Sequence, residues 1–299
     1  MEKGVGILVI LIVIIILIAV ISGQGGAGGG APLREPRRGG FFDFITIQKD
    51  ERILSASRTG SGTSEEEEEE TRESYEERLK RSIRLSRGNA KKDDADEEYI
   101  EISYSGYGFS NDSKPDLLLH GWSLENKRGE KFVFGGIAEL PYAGQINRES
   151  AFIAKAGARI IVVTGESPIS ASFRTNMCTG YFNQFNEFSP TLRQYCPRPK
   201  DEPGKENLND ACLDYIDGLA QCKIPLSNPE FRIEGRCTDW IIKNVSYAGC
   251  VANHRADEDF YKNEYRVYLG RPQEIWLNSR DSITLRDSKG TIIQTLEYQ

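Results

Sequence analysis

The sequence predicts a mainly β protein: a β-sandwich that follows an N-terminal transmembrane helix and is interrupted by a cysteine-rich insertion. Three observations predict this class. They are a long apolar run near the N-terminus, a series of short β-rich runs from residue 97 onwards, and six cysteines confined to 73 residues between two of those runs. The 299 residues suffice for one or two domains. Because 45 acidic residues face 38 Lys and Arg residues, we expect no nucleic-acid partner.

A transmembrane signal-anchor is predicted in residues 1–23. Residues 7–21 are fifteen consecutive apolar residues, and the uncharged run covers residues 4–21. Eighteen helical residues span about 27 Å, close to the thickness of the hydrocarbon core of a bilayer. The apolar run is long for a cleavable signal, and no clean cleavage site follows it. We therefore expect residues 4–21 to remain in membrane lipid.

Charge and cysteine content disagree about the orientation of this anchor. Arg34, Arg37 and Arg38 follow the apolar run and only Lys3 precedes it, which by itself would keep the C-terminal part in the cytoplasm. Large domains can cross the membrane despite that bias, and the cysteines indicate an oxidising compartment. We therefore predict a single-pass protein of the cell membrane whose C-terminal domain is extracytoplasmic.

A flexible, charged stalk is predicted over residues 24–96. Gly- and Ser-rich stretches open it, as is typical of linkers. Within it a helix is predicted over residues 64–87, because Ser64 can cap it and six glutamates at 65–70 are followed later by basic residues. This order of charge suits the helix dipole.

One face of the predicted helix carries a thin apolar stripe. Tyr75, Leu79 and Ile83 follow one another at intervals of four residues. The stripe is too short for a stable coiled coil, so we expect at most weak self-association through residues 65–87.

The folded part is predicted to span residues 97–299. Residues 99–104 alternate between apolar and polar side chains, which is typical of a half-buried strand. Many short strands separated by turns predict a β-sandwich, and Trp122 is predicted to anchor its core. The further β-rich runs are 117–124, 131–134, 158–164, 265–269, 274–277, 282–286 and 291–298.

Several of these segments resemble the lamin tail domain, in the form of a membrane-anchored protein of prokaryotic type. They correspond to a first strand, a Gly-Trp motif, a turn before a central strand and a closing hairpin. The match covers about 110 residues in two pieces, 97–170 and 262–299. The segments are, in chain order, EYIEI at 98–102, LLLHGWSL at 117–124, KAGA at 155–158 and DSITLRDSKG at 281–290.

The resemblance implies an immunoglobulin-like sandwich that serves as a binding or tethering module without catalysis. Glu101, Gly121, Trp122 and Leu124 stand at the motif positions and are expected in the core of that sandwich. The chain departs from the family pattern at His120 in place of a small polar residue, at Ala156 where proline is common, and at the insertion 167–261.

The six cysteines predict a disulfide framework in the insertion 167–261. Their number is even, and none lies elsewhere. A zinc site needs cysteine pairs about two to four residues apart, whereas the nearest pair here has nine residues between its members. We expect three bridges with the pairing left open among Cys178, Cys196, Cys212, Cys222, Cys237 and Cys250.

Two short helices are predicted inside the insertion. CLDYI at 212–216 and CTDWI at 237–241 share one pattern, with a cysteine near the start of each helix. Pro225 and Pro229 separate them, because proline interrupts a helix. Each helix is therefore expected to bury the matching face of its pattern.

An aromatic cluster in the insertion has two interpretations. Tyr181, Phe182, Phe185 and Phe188 either form the core of a small disulfide-bonded unit or, if exposed, a stacking surface for sugars or peptides. We favour the core, because so small a unit needs large apolar side chains.

Few residues are candidates for chemistry. The chain has no serine-hydrolase, zincin or P-loop motif, and no cofactor is expected. His120 and His254, the two histidines, are expected to be structural or surface residues. The best acidic cluster contains Asp257 and Asp259, which give a weak alternative of a cation site against a solvated loop.

These observations predict a membrane-anchored, extracytoplasmic binding or tethering module that recognises a cell-surface protein or polysaccharide and is not an enzyme. An alternative is an accessory subunit of a membrane-associated hydrolase or nuclease. A third hypothesis is an enzyme that uses a carboxylate site in the insertion.

Overall fold

Two large β-sheets, a short third sheet and a disulfide-bonded layer form the part of the chain that the computed structural model describes, residues 75–109, 114–226 and 235–299. Within these residues, none of the helices combines the length and the apolar character that a membrane crossing requires. The predicted anchor at residues 4–21 lies outside the described residues. The same holds for most of the predicted stalk.

After a first helix, eight strands precede the remaining helices, and three strands follow them. In chain order they are α1 (75–82), β1 (Ile83–Ser86), β2 (Tyr99–Tyr104), β3 (Leu117–Leu118), β4 (Ser123–Glu125), β5 (Lys131–Val133), β6 (Ile153–Ala154), β7 (Ala158–Val163), β8 (Phe173–Asn176), two 3-10 helices (Thr179–Gln184 and Pro199–Asp201), α2 (Asp210–Asp217), α3 (Gly235–Asn244), α4 (Tyr247–His254), β9 (Tyr261–Tyr268), β10 (Asp281–Arg286) and β11 (Ile292–Tyr298).

The larger sheet has five strands in the order β1-β2-β7-β9-β8, and the second has four in the order β11-β10-β4-β5. Neighbouring strands are antiparallel except β7 and β9, which are parallel. A short pair, β3 and β6, forms a third sheet. The fold of the described residues is therefore mixed α/β and richer in strand than in helix, with less β character than the sequence predicts.

The facing sides of the two large sheets share one apolar core. Alternation along each strand places every second side chain in it, as the periodicity of β2 and β10 predicts. Trp276 lies in this core with 1% of its surface exposed and meets the ring of Phe132 edge-on. The core also includes Ile100, Ile102, Ile160, Val162, Leu124, Ile283 and Leu285.

The fold begins earlier in the chain than the sequence predicts. The helix predicted over residues 64–87 ends at residue 82, and Ile83–Ser86 pairs with β2 as an edge strand. Ile83 and Leu85 point into the core while Arg84 and Ser86 face solvent, so the segment follows a period of two. The prediction of a flexible stalk up to residue 96 is therefore wrong for its last part.

The run 274–277, predicted as a strand, is a loop. Its backbone N–H groups at Ile275 and Trp276 donate to the buried carboxylate of Glu98, at distances of 3.0 and 3.2 Å. The carboxylate of Glu98, the residue before β2, thus accepts the hydrogen bonds that a neighbouring strand would otherwise accept. Burial raises the pKa of the Glu98 carboxyl from its ordinary 4.5 to about 7.

The segment between β8 and β9 is a layer of helices held by three disulfides, which confirms the predicted number of bridges. The pairs are Cys178–Cys250, Cys196–Cys222 and Cys212–Cys237. We call residues 177–260 the disulfide layer. The predicted boundary 167–261 differs from it because β8 pairs with β9 and belongs to the sheet.

The two predicted helices exist as α2 and α3, and the bridge Cys212–Cys237 joins them. Asn209 caps α2 by accepting a hydrogen bond from the backbone N–H of Cys212. Ile216 of α2 and Trp240 of α3 are buried in the small cluster around this bridge. The repeated sequence pattern thus gives two similar faces packed together.

The disulfide layer contacts the outer face of the five-stranded sheet. Arg266 on β9 is fully buried; it pairs with Glu264 at 2.7 Å and donates to the carbonyl oxygens of Pro190 and Thr191. Its register partner on β7, Ile161, is also fully buried. The five-stranded sheet is therefore covered on both faces here, once by the shared core and once by this layer.

Candidate functional site

The strongest candidate site is a cleft of about 350 Å³ beside the ends of β7 and β9, at the lower end of the usual range for small-molecule sites. The loop from β7 to β8 forms one wall and the end of β9 forms another. We call it the hydroxyl cleft. It is lined by Glu149, Glu166, Ser167, Ser170, Ala171, Ser172, Tyr268 and Gly270.

The loop that forms the first wall is fixed at its base. Gly165 donates to the carbonyl oxygen of Ala95, and the backbone N–H of Glu166 donates to the Asp96 carboxylate at 3.1 Å. A Cβ atom at Gly165 would collide with that carboxylate, so only glycine permits this close approach. The loop is thereby anchored to the segment that precedes β2.

Internal hydrogen bonds then define the turn at the tip of the loop. The Ser167 hydroxyl donates to the carbonyl oxygen of Ala171 at 2.6 Å, and the Ser170 N–H donates to the carbonyl oxygen of Ser167. Ser170 has a φ of 57°, in the left-handed region that a residue other than glycine seldom adopts. A side chain held in this conformation is a common feature of binding sites.

Tyr268 supplies the aromatic element of the cleft. Its ring is stacked on Phe173 with the centroids 6.3 Å apart, and its hydroxyl oxygen is buried without a hydrogen-bond partner among the described residues. Burial raises the pKa of this phenol, so it stays protonated and able to donate. A buried polar atom without a partner is uncommon and requires an explanation.

The charge of the cleft is negative. Glu149 and Glu166 are both exposed, and neither forms an ion pair within the described residues. Among the described residues that line the cleft, none is Lys or Arg. The cleft thus combines two carboxylates with three serine hydroxyls and one phenol.

Two other depressions have polar groups that already satisfy one another. In one, near β10 and β11, Asp281 accepts from three backbone N–H groups and Lys127 donates to the carbonyl oxygen of Arg280. In the other, beside α2, Lys200 pairs with Asp217 at 2.9 Å. The hydroxyl cleft differs because the hydroxyls of Ser170 and Tyr268 have no partner in the described part of the chain.

His254, at the end of α4, is held between two carboxylates. Its Nδ1 lies 2.8 Å from Asp257 and its Nε2 lies 3.1 Å from Glu202, which is buried. Partial burial lowers the pKa of His254, but the two carboxylates raise it more, and the net direction is upward. Both ring nitrogens therefore face carboxylates, which fix the orientation of the ring.

The acidic pair predicted as a weak cation site is divided between different partners. Asp257 contacts His254, whereas Asp259 pairs with Lys262 at 3.0 Å. Within residues 75–109, 114–226 and 235–299, no group of three or more His, Cys, Asp or Glu side chains is arranged to hold a metal ion. The two aspartates thus form separate side-chain contacts in the segment that follows α4.

The predicted motif residues divide between the core and the surface. Trp122 and Leu124 are buried in the shared core, and Gly121 forms a turn with a φ of 83°. Glu101 instead pairs with Arg159 at 2.7 Å on the opposite face of the sheet. The expectation of a core position is therefore wrong for Glu101, because alternation along β2 points it away from the shared core.

The six cysteines and most of the aromatic cluster are buried. Tyr181, Phe182 and Phe188 pack in an apolar cluster of the disulfide layer, whereas Phe185 is 60% exposed. The core interpretation therefore holds for three of the four aromatic residues. These residues support the fold and do not line the hydroxyl cleft.

Sequence reasoning missed the residues of the hydroxyl cleft. Three serines within residues 167–172 form the only signal, and this signal also fits an ordinary turn. Tyr268 is almost a hundred residues further along the chain, so its place beside these serines depends on the pairing of β9 with β7 and β8.

Comparisons of the chain with protein-family models, with curated proteins and with solved structures find no match. The resemblance to the lamin tail domain therefore stays a prediction from the sequence motifs.

Proposed function

We propose that this protein is a membrane-anchored, extracytoplasmic binding module without catalytic activity, which holds a polysaccharide or protein of the cell surface near the membrane. The observation that carries the proposal is the hydroxyl cleft. Among the described residues, the side chains of Ser170, Glu149 and Glu166 line it without hydrogen-bond or ion-pair partners, on a scaffold bridged by three disulfides. Disulfides persist in oxidising compartments, which supports a position outside the cytoplasm.

The chemistry of the cleft supports binding rather than turnover. Nucleophilic catalysis needs a hydroxyl beside a base, and His254 has both ring nitrogens occupied by carboxylates. The serine hydroxyls of the cleft have carboxylates and a neutral phenol as their neighbours. Such a set can bind a ligand through hydrogen bonds. Within the described residues, none of its serine hydroxyls is hydrogen-bonded to a carboxylate or an imidazole, as an activated nucleophile would be.

An immunoglobulin-like, lamin-tail-like sandwich is part of the proposal. Two sheets with a shared core, Trp122 in that core and the hairpin of β10 and β11 support it. In such a module the recognition site is carried by loops on a rigid scaffold. The loop from β7 to β8 satisfies that description.

The location is tested by alkylating the full-length protein in intact native membranes before reduction, followed by mass analysis. We expect all six cysteines to remain unmodified and the mass to be six hydrogens below that of the reduced chain. Modification of all six cysteines would contradict an extracytoplasmic position.

The activity is tested by mixing the purified full-length protein, in detergent, with envelope material of the cells that produce it. We expect sedimentation of the protein with the material and no release of soluble fragments over time. Time-dependent release of sugar or peptide fragments would instead identify an enzyme.

A further inference from the structure

The loop between β9 and β10, residues 269–280, contributes Ile275 and Trp276 to the shared core, and we call this loop the strap. We propose that Glu98 holds the strap closed while its carboxyl group carries a proton, and that the strap opens more often once this proton is lost. This response of the fold to pH does not depend on the proposed binding function.

Glu98 binds the middle of the strap directly. The backbone N–H groups of Ile275 and Trp276 each donate to one of its two carboxyl oxygens, at 3.0 and 3.2 Å. Glu98 immediately precedes β2 in the chain, and none of its surface is exposed. A single buried side chain therefore connects the middle of the strap to the start of β2.

The surroundings of Glu98 favour its neutral form. A carboxylate ion in this position is removed from water, and this cost exceeds the stabilisation that the two N–H donors and the Thr164 side chain give the ion. The pKa is consequently about 7 rather than 4.5. The group therefore gains or loses its charge near neutral pH, where most carboxyl groups are already ionised.

The charged and titratable groups nearby supply no counterion for Glu98. They are Glu274 and Arg271 in the strap, Asp281 in β10, Tyr298 in β11 and Arg128 in the turn from β4 to β5. Glu274 raises the pKa of Glu98 further. Of the two cations, Arg128 pairs with Glu130 at 3.0 Å and Arg271 lies over the ring of Phe132. Ionisation therefore leaves a buried charge that no described residue neutralises.

Both ends of the strap are held without Glu98. At its start, the Arg271 N–H donates to the carbonyl oxygen of Thr164 at 2.9 Å, and near its end the Leu277 N–H donates to the Asp281 carboxylate at 2.6 Å. These bonds remain when Glu98 releases the residues between them. The middle of the strap thus opens while β9 and β10 stay paired in their sheets, and such local opening needs less free energy than global unfolding.

Other contacts set how rare the open form is. The side chains of Asn126 and Arg128 donate to the carbonyl oxygen of Ile275 at 3.0 and 3.3 Å, and opening also brings Trp276, which is 1% exposed, into water. None of these groups changes its charge near neutral pH. They keep the open form rare, whereas Glu98 makes its population depend on pH.

The pKa of Glu98 in the two forms fixes the size of the effect. In the open form water reaches the carboxyl group, and its pKa returns to its ordinary 4.5. Because the closed form binds the proton more tightly, a rising pH favours opening. With a pKa of 4.5 in the open form and about 7 in the closed form, the fraction of open molecules should rise about 70-fold from roughly pH 5 to pH 8.

Hydrogen exchange of the strap tests the proposal, measured on the full-length protein in detergent, resolved by peptide mass and corrected for the intrinsic effect of pH on exchange. We expect the strap to be less protected than β2 and β7 at every pH, and to lose about 70-fold of its protection from roughly pH 5 to pH 8. Equal protection of the strap and the two strands would mean that the strap opens only when the whole fold unfolds, and would overturn the proposal. Strap protection that does not change with pH would overturn it as well.

Glu98→Gln identifies the responsible group. The carboxamide stays neutral at every pH and keeps the size and shape of the protonated side chain, so the variant should fold, with strap protection that is independent of pH. Glu97→Gln is the matched control, because Glu97 is the adjacent residue, is exposed and pairs with Lys92. It should retain the pH dependence of the parent protein. The same dependence in Glu98→Gln would assign the effect to another group and contradict the proposal.

Discussion

The two-sheet core and the disulfide layer reach stability by different routes. The shared core gathers large apolar side chains from eight strands of the two large sheets and contains no cysteine. The layer has two smaller clusters, and these contain all six cysteines. The difference shows that a segment too small to bury much apolar surface depends on covalent bridges, whereas the sheets do not.

The interface between these two regions combines apolar packing, in which Phe173 of β8 meets Phe188 of the layer, with polar contacts. Arg266 reaches the carbonyl oxygens of Pro190 and Thr191, and the Ser189 hydroxyl donates to the carbonyl oxygen of Glu97. Polar contacts of this kind contribute less than apolar burial to the free energy of unfolding. Because the apolar clusters of the layer are smaller than the shared core of the sheets, we expect the layer to loosen before the sheets unfold.

The largest effect is expected from removing the central aromatic side chain of the shared core. Trp276→Ala should lower the free energy of unfolding by about 3 to 5 kcal/mol, because it leaves a cavity among fully buried neighbours. Urea unfolding followed by circular dichroism measures the change. Trp240→Ala, the matched deletion in the layer, should reduce hydrogen-exchange protection in α2 and α3 alone. If Trp240→Ala also reduced hydrogen-exchange protection in β2 and β7, the two regions would unfold as one.

The bridges of the layer give the next largest effect. Replacing Cys178 and Cys250 together by Ala should destabilise the layer by about 2 to 4 kcal/mol. The same double replacement of Cys212 and Cys237 should cost about 1 kcal/mol less, because this bridge closes a separation of 25 residues rather than 72. Hydrogen exchange of the layer measures both. Equal losses would contradict the chain-entropy explanation.

The sheets and the layer should also differ in their response to pH. Glu98 has a pKa of about 7 in the folded protein against 4.5 ordinarily, so the unfolded chain loses its proton first as the pH rises. The contribution of Glu98 to the stability of the sheets is therefore fully present below pH 4.5, and about 3 kcal/mol of it is lost as the pH rises to about 7. Denaturant titrations at several pH values measure the slope. Glu98→Gln should flatten it, and an unchanged slope in this variant would refute the assignment.

The smallest effect is expected from His254 in the layer. Its folded pKa is raised above 6.5, so its contribution is present below pH 6.5 and is lost as the pH rises through the raised pKa. Because His254 is partly exposed, the change should stay below about 1 kcal/mol. Protection of α4 against hydrogen exchange measures it. His254→Gln should remove this dependence and His120→Gln should keep it, whereas the reverse result would disprove the role of Glu202 and Asp257.

The sequence predicted the local features of the fold well. Strand β2 follows from the alternation of its side chains, and the helices α2 and α3 follow from their shared cysteine pattern. The even number of cysteines predicted three bridges, but their pairing had to remain open. These predictions succeeded because each depends on residues close together in the chain.

The boundaries and the role of single loops were harder to predict. The run 274–277 has strand-like residues, yet its N–H groups bind Glu98, which is far away in sequence. The end of α1 is a second example. Ile83 fits both the apolar stripe of a helix and the alternation of a strand, and the pairing with β2 selects the strand. A distant partner decided the local conformation in both cases.

By itself, the sequence determined the period of β2, the two similar helices, the number of bridges and the negative net charge. Tertiary structure alone decided which cysteines pair and on which face of the sheet Glu101 lies. It also decided that Ser170, Glu166 and Tyr268 line one cleft. The physical reason is distance along the chain. Periodicity and charge act between near neighbours, whereas a binding site needs groups that only the pairing of distant strands brings together.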